Sequence, residues 1–190
     1  LPQSDNPFWR FSLAVYAAPG VADECLALQS ALDVDVNAVL FCAWLGAEKA
    51  LALDARNIAA IEARANAWQE TVVRPLRKAR QSIKTMPEFA HPPVQALRKQ
   101  IAELELRAEQ IEQALLHDDW PALSAGARPA PAEEAVRANI AALLQRSISR
   151  PGAPDLHAPP AALISAALTR SGPAAAPGAA KTLRGASHHA

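Results

Sequence analysis

The chain has 190 residues, with 19 Lys and Arg against 19 Asp and Glu, 16 prolines, seven glycines and two cysteines. That length suits one domain with a real core and some additional chain. The even charge excludes the strong positive field that nucleic-acid or anionic-membrane binding draws on, and two cysteines are too few for a disulfide framework, which favours a reducing cytoplasm.

In chain order, Asn6-Pro7 opens a first helix, with Asn as N-cap and Pro in the first turn. Phe8, Phe11 and Val15 fall three and four apart and give it one apolar face. Ala18-Pro19-Gly20 ends it with turn chemistry. A second helix carries Val21, Cys25, Leu28 and Leu32 as its stripe, with Asp23 and Glu24 near its positive end. Asp33 or Asp35 is then placed to cap a third helix. Its run at residues 39–45 is apolar on every side, so it belongs in the middle of a core under other helices. That run falls well short of the roughly 20 apolar residues needed to cross a bilayer. Gly46 is expected to loosen the far end of this helix.

Asp54 caps a long helical stretch whose stripe runs through Ile58, Ile61, Ala65 and Trp68 to Leu76 and Ile83. Pro75 lies within it and predicts a kink, because its ring crowds the carbonyl of Thr71 and removes a hydrogen bond. After a proline-rich connector at 86–93, apolar residues recur with 3,4 spacing from Val94 through Leu97, Ile101, Leu104 and Ala108 to Leu115. That heptad seam reads as one arm of an antiparallel hairpin packed on the preceding helix, or as a dimerisation coiled coil. The hairpin is favoured.

Beyond Trp120 the composition shifts to nine of the 16 prolines, 22 alanines and no aromatic residue. The expected organisation is therefore an all-α domain over 6–120, a compact bundle of about five helices around a buried central one. A largely disordered Ala/Pro-rich segment follows over 121–190, with one short helix near 133–148 and a weaker helical stretch at 160–168.

Few chemistries are supported. Only Gly20 and Gly46 precede residue 126, which excludes glycine-rich phosphate loops. No His lies at ligand spacing from Cys25 or Cys42, so neither a metal nor a cofactor is expected, and the cysteines read as small buried hydrophobes. Two polar groupings remain. Gln29, Asp35 and Asn37 gather where the second helix meets the third, and form a candidate polar pocket beside ordinary capping chemistry. Arg74, Arg77, Lys78, Arg80 and Lys84 form an acid-free run of cations, a candidate site for an anion or an acidic partner, since arginine forks bind carboxylate and phosphate. The sequence favours an external site over pairing with Glu103, Glu105, Glu109 or Glu112, on the expectation that the Pro75 kink turns the cations off the hairpin.

These residues also form a joint pattern. It runs Phe8-Trp9-x-Phe11-Ser12-Leu13-x-x-Tyr16, Pro19-Gly20-Val21 and Cys25-Leu26-x-Leu28-Gln29. It continues with Asp35-Val36-Asn37-x-x-Leu40-Phe41-Cys42-x-Trp44-Leu45, Trp68 and Val73-Arg74-Pro75-Leu76-Arg77-x-x-Arg80. The pattern resembles an uncharacterised proteobacterial family of small cytosolic helical proteins, carried as conserved hypotheticals or a domain of unknown function, over residues 7–116. The resemblance implies a helical domain and a bacterial cytoplasmic setting, and supplies no activity.

The reading favoured by sequence is a non-enzymatic protein-interaction module that meets an acidic protein partner through its basic face, or a second copy of itself through 94–116. Neither membrane nor nucleic acid is expected as a partner. The rival is a small-molecule or anion-binding protein, with enzymatic activity open, whose site lies near Gln29, Asn37, Arg74 and Arg77. Convergence of those side chains on a concave pocket, lined by Trp9 or Trp44, would favour the rival.

Overall fold

The computed structural model describes residues 5–149 and 159–170 and is all-α apart from one very short strand pair. Helix α1 (Pro7–Tyr16) starts where the Asn6 side chain accepts a 2.9 Å hydrogen bond from Trp9 N–H. Helix α2 (Val21–Leu32) ends on Asp33, which takes a left-handed conformation at φ 48° and donates its N–H to Gln29 O. Helix α3 (Val36–Lys49) is capped by Asp35, whose Oδ1 accepts from Asn37 N–H at 2.9 Å. Every residue of α3 from Asn37 to Ala47 is buried, as its all-round apolar run requires. Phe8 of α1 meets Phe41 and Trp44 of α3, with ring centroids 5.1 and 5.6 Å apart. Among the described residues no single helix is long and apolar enough to cross a membrane.

The far end of α3 is continuous to Lys49. Gly46 serves a different purpose from the expected loosening. A Cβ built there would lie 2.6 Å from Val136 N and 2.8 Å from its Cα. The absent side chain lets the backbone of α8 (Ala132–Ile148) lie directly on α3. Asn139 of α8 reinforces the contact. Its Nδ2 donates to Cys42 O and Leu51 O, and its Oδ1 accepts from Leu53 N–H. A two-residue strand β1 (Leu51–Ala52) pairs antiparallel with β2 (Arg128–Pro129) at the same place.

The packed core therefore does not stop at residue 120, where the sequence puts its end. The helix expected near 133–148 is present, but Val136, Ile140, Leu143 and Leu144 on it are core residues. Helix α9 (Ala161–Thr169) adds Leu163 and Ile164, and both carboxylate oxygens of Glu24 cap its first turn through Ala162 and Leu163 N–H. The physical reason is that α3 needs cover on all sides, and alanine-rich helices approach closely enough to give it. The rest of the stretch expected to be disordered, 150–158 and 171–190, lies outside the described residues.

Helix α4 (Ala55–Trp68) opens with a capping box between Asp54 and Asn57. It runs through a π-helical turn, Gln69–Val73, into α5 (Arg74–Lys84). The expected disturbance at Pro75 is absorbed in this turn, where Arg74 N–H donates to Gln69 O five residues back. Widening the turn eases the crowding that a proline ring imposes on the preceding carbonyls. After a 3-10 turn, Pro87–Ala90, helix α6 (Pro92–Asp118) returns along α5 as a hairpin, followed by the single turn α7 (Trp120–Leu123).

The face of α6 that is buried differs from the seam that the heptad spacing marks. Leu97 and Leu104 stay 50% and 54% exposed, whereas Glu105, Glu112 and Gln113 are buried. Each of them bonds polar side chains from other elements, and those bonds decide which face turns inward.

Gly46→Ala tests the α3–α8 contact. On a free helix the change would stabilise by about 1 kcal/mol through propensity. Here urea denaturation is expected to show a loss of about 1–3 kcal/mol from overpacking. A chain truncated after residue 120 is expected to lose cooperative thermal unfolding, followed by circular dichroism, because one side of α3 is bared.

Candidate functional site

On α6, Glu105, Glu109 and Glu112 lie four and three residues apart and share a face. Each meets partners that the fold delivers from elsewhere. Arg77 Nε donates to Glu105 Oε1 and Arg77 Nη2 to Glu109 Oε1, both at 2.9 Å, and Arg80 Nε donates to Glu105 Oε2. Glu112 Oε2 accepts from Gln69 Nε2 of the π turn at 2.7 Å and from Asn37 Nδ2 of α3 at 3.0 Å. Gln113 Nε2 donates to Asn37 Oδ1 at 2.8 Å. Thus the N-terminus of α3, the π turn, α5 and α6 are joined through one polar layer.

The three carboxyls on this one face differ electrostatically. Burial disfavours ionisation of Glu105, but hydrogen bonds and charge from Arg80 and Arg77 outweigh it and hold the group below the usual range. Burial pushes Glu109 up to about 7, with Arg77 opposing the rise and Glu105 and Asp35 adding to it. Glu112 is raised much further by burial and then by Asp35, so it is a neutral acid. Asp35 Oδ2 and Glu112 Oε1 are both buried and accept no hydrogen bond. Gln69 Nε2 reaches the other oxygen of each, at 3.4 and 2.7 Å. A proton on Glu112 donated to Asp35 accounts for both orphaned oxygens.

This layer floors a cleft of about 520 Å³ between α2, the α2–α3 link and the α5–α6 hairpin. Gln29, Asp35, Asn37, Arg74, Arg77 and Arg80, all singled out by sequence, line it together. Lys78 and Lys84 do not; both are exposed on α5. Tyr16 is the aromatic residue in the wall, rather than Trp9 or Trp44. The expectation of external cations is corrected at Arg77 and Arg80, which are already paired across the hairpin. The π turn adds one residue of phase before α5, so these side chains face α6. Arg74, at the rim, pairs with Asp33 and Glu70 at 3.1 Å each.

Sequence reasoning missed Tyr16, Gln69 and Arg98. The Arg98 guanidinium lies over the Phe89 ring at 5.9 Å, and its buried Nε has no hydrogen-bond partner. The acids at 105, 109 and 112 were a usable signal, because they stand at helical spacing opposite an acid-free run of arginines. Cys25 and Cys42 are unpaired and buried, and burial lifts both thiols well above their usual range, so neither serves as a nucleophile. Among the described residues no group of three or more His, Cys, Asp or Glu is placed to hold a metal ion.

A family model described as "Protein of unknown function (DUF2390)" matches residues 7–116. The chain belongs to that family. The matched segment contains every residue of the cleft and ends within α6, so α7, α8 and α9 lie outside it. Among curated proteins and among solved structures, none matches the chain.

Glu→Gln at two positions of α6 should give opposite outcomes at neutral pH. Glu112→Gln replaces a neutral acid by a neutral amide and is expected to change stability by less than about 1 kcal/mol. Glu105→Gln removes a buried, ionised partner from two partly buried arginines and is expected to cost about 2–4 kcal/mol, a little under the cost of breaking a fully buried pair. Glu109 carries a pH signature. Its unfolded carboxyl ionises near 4.5 and its folded one near 7. Stability therefore falls as pH rises between those values and levels off above them. The Glu109→Gln variant should lack that loss in denaturation curves compared from pH 4 to 8.

Proposed function

We propose that the protein binds a small polar ligand with an anionic group in the cleft beside the α5–α6 hairpin. The observation that carries this reading is the convergence of Gln29, Asp35 and Asn37 with Arg74, Arg77 and Arg80 on one concave site. A volume of about 520 Å³ falls within the 300–1,000 Å³ usual for small-ligand pockets. Five cations and four carboxyls line it, and one carboxyl, Glu109, is half protonated near neutrality. The balance is positive, which supports an anion as its occupant. Two buried, unpaired thiols and the family resemblance support a bacterial cytoplasmic setting.

A second reading, the interaction module, is favoured by the half-exposed Met86, Leu97 and Leu104 on the hairpin. Self-association through this arm predicts a mass that rises with concentration in light scattering and falls back with Leu97→Glu and Leu104→Glu.

The cleft reading is tested by thermal shift with phosphate, acetate and citrate. At a hundred times its Kd a bound anion stabilises by about 2.7 kcal/mol, or roughly 5–10 °C for a chain of this size. At least one of the three is expected to raise Tm in the unmodified protein, and distinctly less in Arg98→Gln. Equal responses from the two proteins, or none from either, would overturn the reading.

A further inference from the structure

The cleft is polarised along α6. Its residues in the wall run, in axial order, Gln95, Arg98, Lys99, Ala102, Glu105 and Glu109. The end nearest the hairpin tip is cationic, through Arg98 and Lys99. At the opposite end, where α6 meets the α2–α3 link, three carboxyls, Asp33, Asp35 and Glu109, stand against Arg74 and Arg77. Between them Arg77 and Arg80 are tied to Glu105 and largely neutralise it. From Arg98 to Glu109 is eleven residues, or about 16 Å along a helix. The cleft also offers amide side chains, Gln29 and Gln81, and the apolar Leu26, Ala102 and Leu106.

Resting on the cleft reading, we infer that the ligand is an extended zwitterion, a short peptide of about five residues with both termini free. Its carboxylate lies at Arg98 and Lys99 and its amino group at Glu109. Each chain residue extends about 3.3 Å, so about five residues cover the separation of the two ends. Amides in the lining suit peptide N–H and C=O groups, and its apolar residues suit side chains of modest size. A compact anion such as phosphate would use only the cationic end. The Arg98 guanidinium and the Lys99 ammonium, both in the cleft wall, supply donors for the carboxylate. Arg77 Nη2 donates to Oε1 of Glu109, which lines the cleft. Burial and the neighbouring Glu105 and Asp35 raise Glu109 to about 7, and an ammonium group placed there would relieve that strain on its charged form.

Calorimetric titration of the full chain with penta-alanine tests the inference. The free peptide is expected to bind, and either N-acetylation or C-amidation should weaken it by about tenfold or more, the usual worth of one charged hydrogen bond. The variants locate each terminus. In Glu109→Gln the penalty for acetylation should vanish while that for amidation persists, and in Arg98→Gln the reverse should hold. Thermal melts of both variants establish that they fold. Should folded variants leave both penalties unchanged, the assigned orientation is wrong. Should phosphate or citrate bind in an Arg98-dependent way while penta-alanine does not, the peptide inference falls and the anion reading stands. Should neither peptide nor simple anions bind, both fall.

Discussion

The contact on which the rest of this structure depends is backbone against backbone, where Gly46 of α3 meets Val136 of α8. It fixes an apolar helix between partners at a separation that no other residue at position 46 allows. Holding α3 also holds its N-terminus, and that end carries Asp35 and Asn37 into the polar layer. The floor of the cleft is thus positioned by a hydrophobic contact at the other end of the same helix. Asn139 secures that far end by satisfying carbonyls of α3 and β1 in the interior, where an unpaired group would cost about 1–3 kcal/mol.

Local features of the fold were legible in the sequence because local chemistry determines them. Asn6, Asp35 and Asp54 cap the helices that their positions mark, and α3 is as buried as its apolar run demands. Features that need distant partners were not. Nothing near Gly46 announces that residue 136 will lie on it. Alanine-rich composition after Trp120 resembles a weak core-former, although small side chains are what close helix contact requires. On α6 the apolar spacing is real, yet the buried face contains Glu105 and Glu112, whose partners lie between 25 and 75 residues away.

The site was half legible for the same reason. Gln29, Asp35, Asn37 and the arginines stood out by residue type, but their grouping depends on a π turn that spacing alone does not reveal. Its effect on Gln69 is direct, since that side chain is buried and bridges Asp35 and Glu112. Buried ionic layers rarely gain stability over apolar packing of equal volume. Glu112 and Glu109 are raised by burial and neighbouring acids while Glu105 is lowered by its arginines, so proton affinity is graded along a single helix.

The order of the helices also has a consequence for synthesis. Helix α3 is made early, but its covering helices α8 and α9 end about a hundred residues and more after it. At ribosomal speeds of about 5–20 residues per second, that leaves its apolar surface without its native cover for roughly 5–20 s. During that interval α1 and α2 can fold against only part of it. The nascent chain is therefore a natural client for chaperones that hold apolar segments, and its folding is completed by late arrivals rather than built outward from its first helices.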